Sequence, residues 1–369
     1  MNIPLVDLKI QYQKLKKEID KNIAEVCASA SFILGPQVEE FERSFAEFLE
    51  ADYVVGVANA TDALHLAFAA LGLGVNDEVI IPANTFVATA VGVMETGARP
   101  VLVDMDPETY LIDLKKIESA ITSRTKAICP VHLYGRACNM DVIAKIAQKH
   151  SLFIVEDVAQ AAGARWKKKR VGTFGQFGCF SFYPGKNLGA YGDGGAMSAS
   201  SEKLAKKIRS MRNFGSEKKY EYPQRGINSR LDSIQAAVLN VKLKYLDQWN
   251  LKRWEIAKKY SQELKPLEKK GILKLPDIVN PETHVFHLFV VQVDRRSKVI
   301  EFLSKNGIQA GIHYPIPFYL QKGYAQLGYS KGAFPETESA SEKILSLPVY
   351  PEMTSSQIAY ITGTLKKAF

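Results

Sequence analysis

The sequence predicts an α/β fold: a large domain built on a seven-stranded, mostly parallel sheet flanked by helices, followed by a smaller α+β C-terminal domain. Three observations carry this reading. Short apolar runs alternate with segments whose apolar residues recur at helical spacing, the pattern of a doubly wound sheet. At 369 residues the chain exceeds the length at which one hydrophobic core stops growing. After about residue 245 the alternation gives way to a long charged helical stretch and a different rhythm of short elements.

Residues 1–12 read as an N-terminal arm, 13–246 as the large domain and 247–369 as the smaller one. The strand candidates are Tyr53–Ala58, Glu78–Ala83, Pro100–Asp104, Ala127–Leu133, Leu152–Val158, Phe177–Phe182 and Ala196–Ala199. Between them, Thr61–Leu71, Val87–Thr96, Met140–His150 and Lys203–Met211 carry the apolar spacing of helices that cover a sheet. A helix is expected over Leu231–Leu243 and a long charged one over Leu239–Leu264. A strand near Val285–Val293 and a helix at Ser297–Asn306 follow. Lys269-Lys270-Gly271 and Pro276–Thr283 read as turns inside the second domain, and Lys167-Lys168-Lys169-Arg170 as a solvated hairpin turn.

Composition narrows the class. Apolar residues at 46% and charged residues at 24% are ordinary for a globular protein and argue against disorder. No signal-peptide architecture opens the chain and no run of eighteen apolar residues occurs, so a cytoplasmic protein that does not span a membrane is expected. The net charge of +9 suits nucleic acid, a phosphorylated substrate, or only a soluble surface, and no helix-turn-helix or RNA-binding signature accompanies it. Cys27, Cys129, Cys138 and Cys179 lack metal-ligand spacing, so buried thiols and no metal site are expected.

Ligands of open α/β sheets bind beyond the carboxyl ends of the strands, which directs attention to the residues just after each run. Asn59-Ala60-Thr61-Asp62 opens a helix, where the amides of Ala60 and Thr61 and the Thr61 hydroxyl suit a phosphate; simple capping by Asn59 or Thr61 accounts for it equally. Phe86 sits at the lip of the sheet, able to stack on a flat heterocycle or to join the core. Asp157 extends the apolar run Phe153-Ile154-Val155, and a carboxylate in such a place needs a cationic partner. Gln160 follows it, within reach of a ring hydroxyl.

Lys186 lies on the Gly-rich turn Ser181-Phe182-Tyr183-Pro184-Gly185-Lys186-Asn187-Leu188-Gly189, where a lysine suits a Schiff base; alone it reads as a surface lysine. Together the residues form one constellation. Pyridoxal 5'-phosphate requires a lysine, an acid opposite the ring nitrogen, a ring stacker and a phosphate cradle, and Lys186, Asp157, Phe86 and Thr61 with Ser181 supply one each.

On these motifs the chain resembles the DegT/DnrJ/StrS family of sugar aminotransferases. Ile3-Pro4-Leu5-Val6-Asp7-Leu8, Thr61-Asp62-Ala63-Leu64, Glu156-Asp157, the lysine turn, Gly192-Asp193-Gly194-Gly195, Asn228-Ser229-Arg230 and Leu345-Ser346-Leu347-Pro348 stand in family order, so the resemblance covers nearly the whole sequence. It implies a fold type I aminotransferase working as a homodimer with active sites at the interface. Lys186 would be the catalytic residue, and Asn228 would reach the partner subunit's cofactor phosphate. Asn228-Ser229-Arg230 also suits capping of the Leu231–Leu243 helix.

Within the family, Phe32-Ile33-Leu34-Gly35, Tyr183, Lys219-Tyr220 and His313-Tyr314-Pro315 resemble the branch that aminates C3 of dTDP-3-keto-6-deoxyhexoses. Phe32, Tyr183, Lys219, His313 and Tyr314 are thereby implied in the sugar pocket; Lys219 reads equally as a solvated lysine and His313 as a packed loop histidine. The implied reaction is ping-pong, with L-glutamate converting a Lys186 aldimine to pyridoxamine 5'-phosphate, which then aminates the nucleotide-linked keto-sugar. A related dehydrating branch carries histidine in place of the lysine, so Lys186 argues against it. Ala60 and Phe318 depart from the family's usual Gly and His. Amination at C4 or of a UDP-sugar is the alternative within the family, and a nucleic-acid-binding regulator the alternative outside it.

Overall fold

The computed structural model describes residues 1–369. Asp7 caps α1 (Leu8–Ser29), its carboxylate accepting from the amides of Lys9 and Ile10. Proline opens α2 (Pro36–Leu49) at a position whose N–H would have no helical partner. The first five runs form β1 (Tyr53–Val57), β2 (Glu78–Pro82), β3 (Arg99–Val103), β4 (Thr125–Ile128) and β5 (Phe153–Asp157). A short hairpin, β6 (Arg165–Trp166) and β7 (Lys169–Arg170), turns at Lys167 and Lys168 before β8 (Phe177–Ser181) and β9 (Gly195–Ala199) complete the sheet.

The seven strands lie in the order β1-β9-β8-β5-β4-β2-β3, with β9 antiparallel to both neighbours and the rest parallel. Helices α3 (Ala60–Ala70), α4 (Val87–Met94), α5 (Leu114–Ile117) and α6 (Met140–Lys149) connect the first five strands, and α7 (Glu202–Met211) follows β9. Both faces are covered: Val79 and Ile81 of β2 enter the cluster holding Leu64, Phe68 and Val93, while Ile80 enters the one holding Ile128, Ile143 and Ile154. Each such side chain, fully buried, contributes about 1.5–3 kcal/mol. Because β1, β2, β4, β5 and β8 run the same way, their carboxyl ends share one edge of the sheet.

After the sheet come α8 (Ser233–Leu243) and α9 (Leu246–Lys269), then β10 (Leu273–Lys274), β11 (Phe289–Val293), α10 (Arg296–Lys305), α11 (Pro335–Lys343), β12 (Ile344–Leu347) and α12 (Ser355–Lys367). Strands β10, β11 and β12 form an antiparallel sheet whose core includes Tyr260, Phe289, Leu345 and Ile361. Ile3 of the arm is fully buried in that core, pinned by its amide to Gly307 O at 2.8 Å and by its carbonyl to the amide of Gln309 at 2.9 Å. Phe318, Tyr319, Leu327 and Phe334 return to the core of the large sheet.

Several local expectations are corrected. The helix expected over Leu239–Leu264 is two helices, broken at Lys244-Tyr245. The helix expected from Leu231 begins at Ser233 with Asp232 at its cap, so Asn228-Ser229-Arg230 does not cap it; the Ser229 hydroxyl accepts from the amide of Ala58 instead. The run Ala127–Leu133 leaves the sheet after Ile128 and ends in a 3-10 turn at Leu133–Gly135, and the strand near Val285 begins only at Phe289. Cys27 is exposed, unlike the other three cysteines, because it lies on the outer face of α1. Arg170 of the basic cluster is buried, donating to Asp247 at 2.7 and 2.8 Å.

Candidate active site

A cavity of about 850 Å³ opens along the shared carboxyl edge, the size of a small-molecule site. Asn59 after β1, Thr85 and Phe86 after β2, Asp157 at the end of β5 and Ser181 at the end of β8 all line it. Lys186 reaches it from the turn after β8.

That turn is firmly anchored. The Lys186 amide donates to Tyr183 O at 2.8 Å, and Gly189 passes so close to Pro184 that a Cβ there would lie 2.3 Å from the Pro184 carbonyl oxygen. Buried Asn187 donates to Asn250 Oδ1 at 2.8 Å and to Val285 O at 3.1 Å, and Lys242 of α8 donates to Gly189 O at 2.7 Å. Burial pushes the Lys186 ammonium down from 10.5 to about 8, against the opposing pull of Asp157. A neutral amine is thus accessible near physiological pH, the state a nucleophilic lysine needs.

Asp157 is buried, and desolvation pushes its carboxyl up while hydrogen bonds from Thr89 (2.7 Å) and the Ala159 amide (3.1 Å), and the field of Lys186, oppose that shift. Its neighbour Glu156 points to the other face of the strand. It accepts from the amides of Gly172, Phe174 and Gly175 and contacts His132 Nε2, so its charge is used to hold a loop. The Cys138 amide donates to His132 Nδ1, which places the His132 proton on Nε2, toward Glu156.

The cradle lies at the N-terminus of α3. Asn59 is the cap, its Oδ1 accepting from the Asp62 amide at 2.8 Å. The amides of Ala60 and Thr61 have no partner within the chain and face the cavity, so capping and anion binding coexist there. Gly195 makes the fit: a Cβ on it would stand 2.6 Å from the Asn59 carbonyl carbon. Opposite, Phe86 packs 5.1 Å from the Tyr314 ring. The orientation of Gln160 is set from behind, because its Oε1 accepts from the Tyr134 amide at 2.7 Å; its Nε2 therefore faces the cavity, donating to the Tyr314 hydroxyl at 3.2 Å. His313 Nδ1 lies 2.9 Å from the Ser346 hydroxyl, and burial pushes the imidazole down from 6.5 to about 4, so it is neutral at physiological pH.

Of the residues singled out in the sequence, Ala60, Thr61, Phe86, Asp157, Gln160, Ser181, Tyr183, Lys186, His313 and Tyr314 line this one cavity. Phe32, Lys219 and Asn228 do not; all three are exposed on the surface of the chain. Sequence reasoning missed Leu5 and Val6 of the arm, Asp193, His287 and Gln309. Asp193 stood inside a quoted motif, whereas His287 and Gln309 follow no strand end of the large sheet and carried no local signal.

The model of the DegT/DnrJ/EryC1/StrS aminotransferase family matches residues 13–366. This chain belongs to that family. Relatives of the family extend over its full length. A dTDP-3-amino-3,6-dideoxy-alpha-D-galactopyranose transaminase of Aneurinibacillus thermoaerophilus is 45% identical, covering 99% of each chain. A UDP-N-acetyl-3-dehydro-alpha-D-glucosamine 3-aminotransferase of Acidithiobacillus ferrooxidans is 43% identical, covering 99% of this chain and 97% of its own. The crystal structure of S. venezuelae DesV in complex with a ketimine intermediate superposes with a TM-score of 0.96 at 42% identity, over 99% of this chain and 98% of its own. NtdA of Bacillus subtilis, solved with bound pyridoxamine phosphate, superposes with a TM-score of 0.91 at 35% identity, over 96% of this chain and 82% of its own.

The protein is therefore a pyridoxal-phosphate-dependent aminotransferase of the fold type I class. Its own residues fit that cofactor: unpartnered amides at the N-terminus of α3 for the phosphate, a buried carboxylate for the ring nitrogen, and a lysine whose charge burial has weakened. No helix is long and apolar enough to cross a membrane.

Proposed function

We propose that this aminotransferase moves an amino group from L-glutamate to the 3-keto group of a dTDP-3-keto-6-deoxyhexose, giving a dTDP-3-amino-3,6-dideoxyhexose by ping-pong chemistry in a homodimer. The observation that carries the chemistry is Lys186 facing the buried Asp157 across a cavity closed at one side by the α3 amides. The nucleotide and the ring position are supported by the 45% identical dTDP-sugar relative. A 43% identical relative named for a UDP-sugar supports the alternative nucleotide.

When bound, pyridoxal phosphate supplies an aldehyde for the lysine and an electron sink for the bond that loses its proton. Lys186 is the covalent anchor at rest and, once displaced, the base and acid that carries a proton between the donor or sugar carbon and the cofactor; its weakened basicity suits both directions. Asp157 keeps the ring nitrogen protonated by staying ionised beside it. Ala60, Thr61 and Ser181 hold the phosphate, Phe86 fixes the plane of the ring, and the Gln160 Nε2 donor meets its hydroxyl. Tyr183, His313 and Tyr314 orient the sugar. Asn228, exposed and outside this chain's own cavity, extends to the phosphate of the partner subunit's site, and Phe32 and Lys219 complete the sugar wall from the same side.

The deciding assay offers dTDP-3-keto-6-deoxyglucose, dTDP-3-keto-6-deoxygalactose, dTDP-4-keto-6-deoxyglucose and a UDP-3-keto sugar side by side with glutamate, with products read by mass and NMR. An amine at C3 of a dTDP-sugar is expected. Turnover confined to the UDP-sugar, or to a 4-keto isomer, sinks the substrate assignment. The regulator reading predicts salt-dependent DNA affinity, and a DNA titration of the purified protein at two salt concentrations tests it directly.

A further inference from the structure

Behind Asp157 lies a pair of buried hydroxyls. Thr89, in the first turn of α4, is fully buried and its Oγ1 stands 2.7 Å from Asp157 Oδ2. Thr85, just before that helix and also buried, places its Oγ1 2.7 Å from Thr89 Oγ1 and lines the cavity. On the other carboxylate oxygen only the Ala159 amide donates, at 3.1 Å.

We propose that Thr89 is a positioning residue for the aminotransferase reaction, fixing the Asp157 carboxylate against the cofactor's ring nitrogen, with Thr85 as the second member of a directional hydroxyl relay. The proposal rests on the assignment of Lys186 and Asp157 made above. An ionised carboxylate only accepts, so Thr89 donates to it; a hydroxyl has one proton, so the Thr89 oxygen accepts from Thr85. Every proton in the chain then points toward Asp157. Protonating Asp157 reverses the relay, so the relay and the charge on the carboxylate are one coupled state.

The placement is local. Thr85, Phe86 and Thr89 belong to one five-residue segment that leads from the end of β2 into the first turn of α4, so the stacking ring and the donor to the carboxylate are carried by the same turn, which the Thr89 amide closes on Phe86 O at 3.1 Å. The other titratable groups facing Asp157 are Lys186 from the lysine turn, His132 and Cys129 beyond β4, Cys179 of β8 and Tyr314. Burial pushes both thiols and the phenol up, so they stay neutral over the range in which the relay is tested.

The test uses holoenzyme and reads the visible absorption band of the lysine-bound cofactor against pH, together with cofactor affinity. Losing the Thr89 donor makes Asp157 more basic, draws the ring proton toward the carboxylate and leaves the ring less positive. A Schiff-base nitrogen beside a less positive ring keeps its proton to higher pH. Thr89→Val is therefore expected to raise the titration midpoint by at least ~0.5 unit and to weaken cofactor binding by about 10-fold. Thr89→Ser should restore both, and Thr85→Val should shift the midpoint the same way by less. A wild-type midpoint in T89V overturns the proposal; should T89V fail to fold, an unshifted midpoint in T85V does so. If wild-type enzyme shows no lysine-bound chromophore, or if Lys186→Ala keeps one that borohydride traps, the underlying assignment fails instead.

Discussion

Lys186 and Asp157 take their properties from where they sit. A lysine on an ordinary surface turn keeps its charge near pH 10; here burial brings the value to about 8 even with a carboxylate across the cavity. Because the neutral amine is the nucleophile, the rate at which apoprotein couples to pyridoxal phosphate should rise with pH through about 8 and level off above it. A rate that keeps climbing to pH 10 would mean the lysine is not desolvated. Asp157→Asn keeps the shape but not the charge, and turnover should fall by about 100-fold or more with the fold intact; single-turnover kinetics on each half-reaction will measure it. Glu156, adjacent in sequence, should respond differently: losing its carboxylate strands three loop amides, so Glu156→Ala costs stability before it costs chemistry.

Each strand end contributes to the site through the element that follows it. β9 approaches α3 so closely at Gly195 that a methyl group would meet backbone atoms of Asn59 at 2.6 and 2.8 Å, and backbone cannot swing aside as a side chain can. Gly195→Ala is expected to cost about 1–3 kcal/mol and to loosen the phosphate cradle; denaturant midpoint and cofactor titration report the two effects separately, and an unchanged affinity would free Gly195 of that role. Helix α8 holds the lysine turn through Lys242, which has no exposed surface, stacks 4.3 Å from the Tyr191 ring and is pushed down from 10.5 to about 7 by burial. Between those two values the unfolded chain binds more protons than the folded one, so this residue makes stability rise as pH rises from about 7 toward 10.5. Lys242→Met should flatten that slope in urea melts taken across the range, and an unaltered slope would contradict it.

At the scale of the whole molecule, the cavity gathers ten of the residues marked in the sequence and leaves Phe32, Lys219 and Asn228 outside. A site completed by a second subunit predicts complementation. If Asn228→Ala and Lys186→Ala are each inactive, mixed and refolded together they should recover about a quarter of wild-type activity: with subunits pairing at random, half the dimers are mixed and each has one intact site. No recovery on mixing would place Asn228 in its own chain's site or in none. The arm belongs to the same scale, since Ile3 is locked into the C-terminal core while Leu5 and Val6 line the cavity.

Much of this was legible beforehand because strands and helices announce themselves by period, and because ligands gather where strands end. All seven runs became strands of one sheet, with Asp157 at the end of one of them and Lys186, Phe86 and Thr61 a few residues beyond others. The break at Lys244-Tyr245 was not legible, since the helical period continues through it. Nor were His287, Gln309 and Leu5, which come to the cavity from segments with no strand-end signal. The sequence by itself determined the α/β class, the family and the chemistry of the lysine turn, because these rest on local pattern and residue type. Only the tertiary structure decided what the Glu156 carboxylate holds, which way Gln160 presents its amide, and which donors stand behind Asp157. Those depend on partners such as His132, Tyr134 and Thr89, brought from other loops and helices by packing.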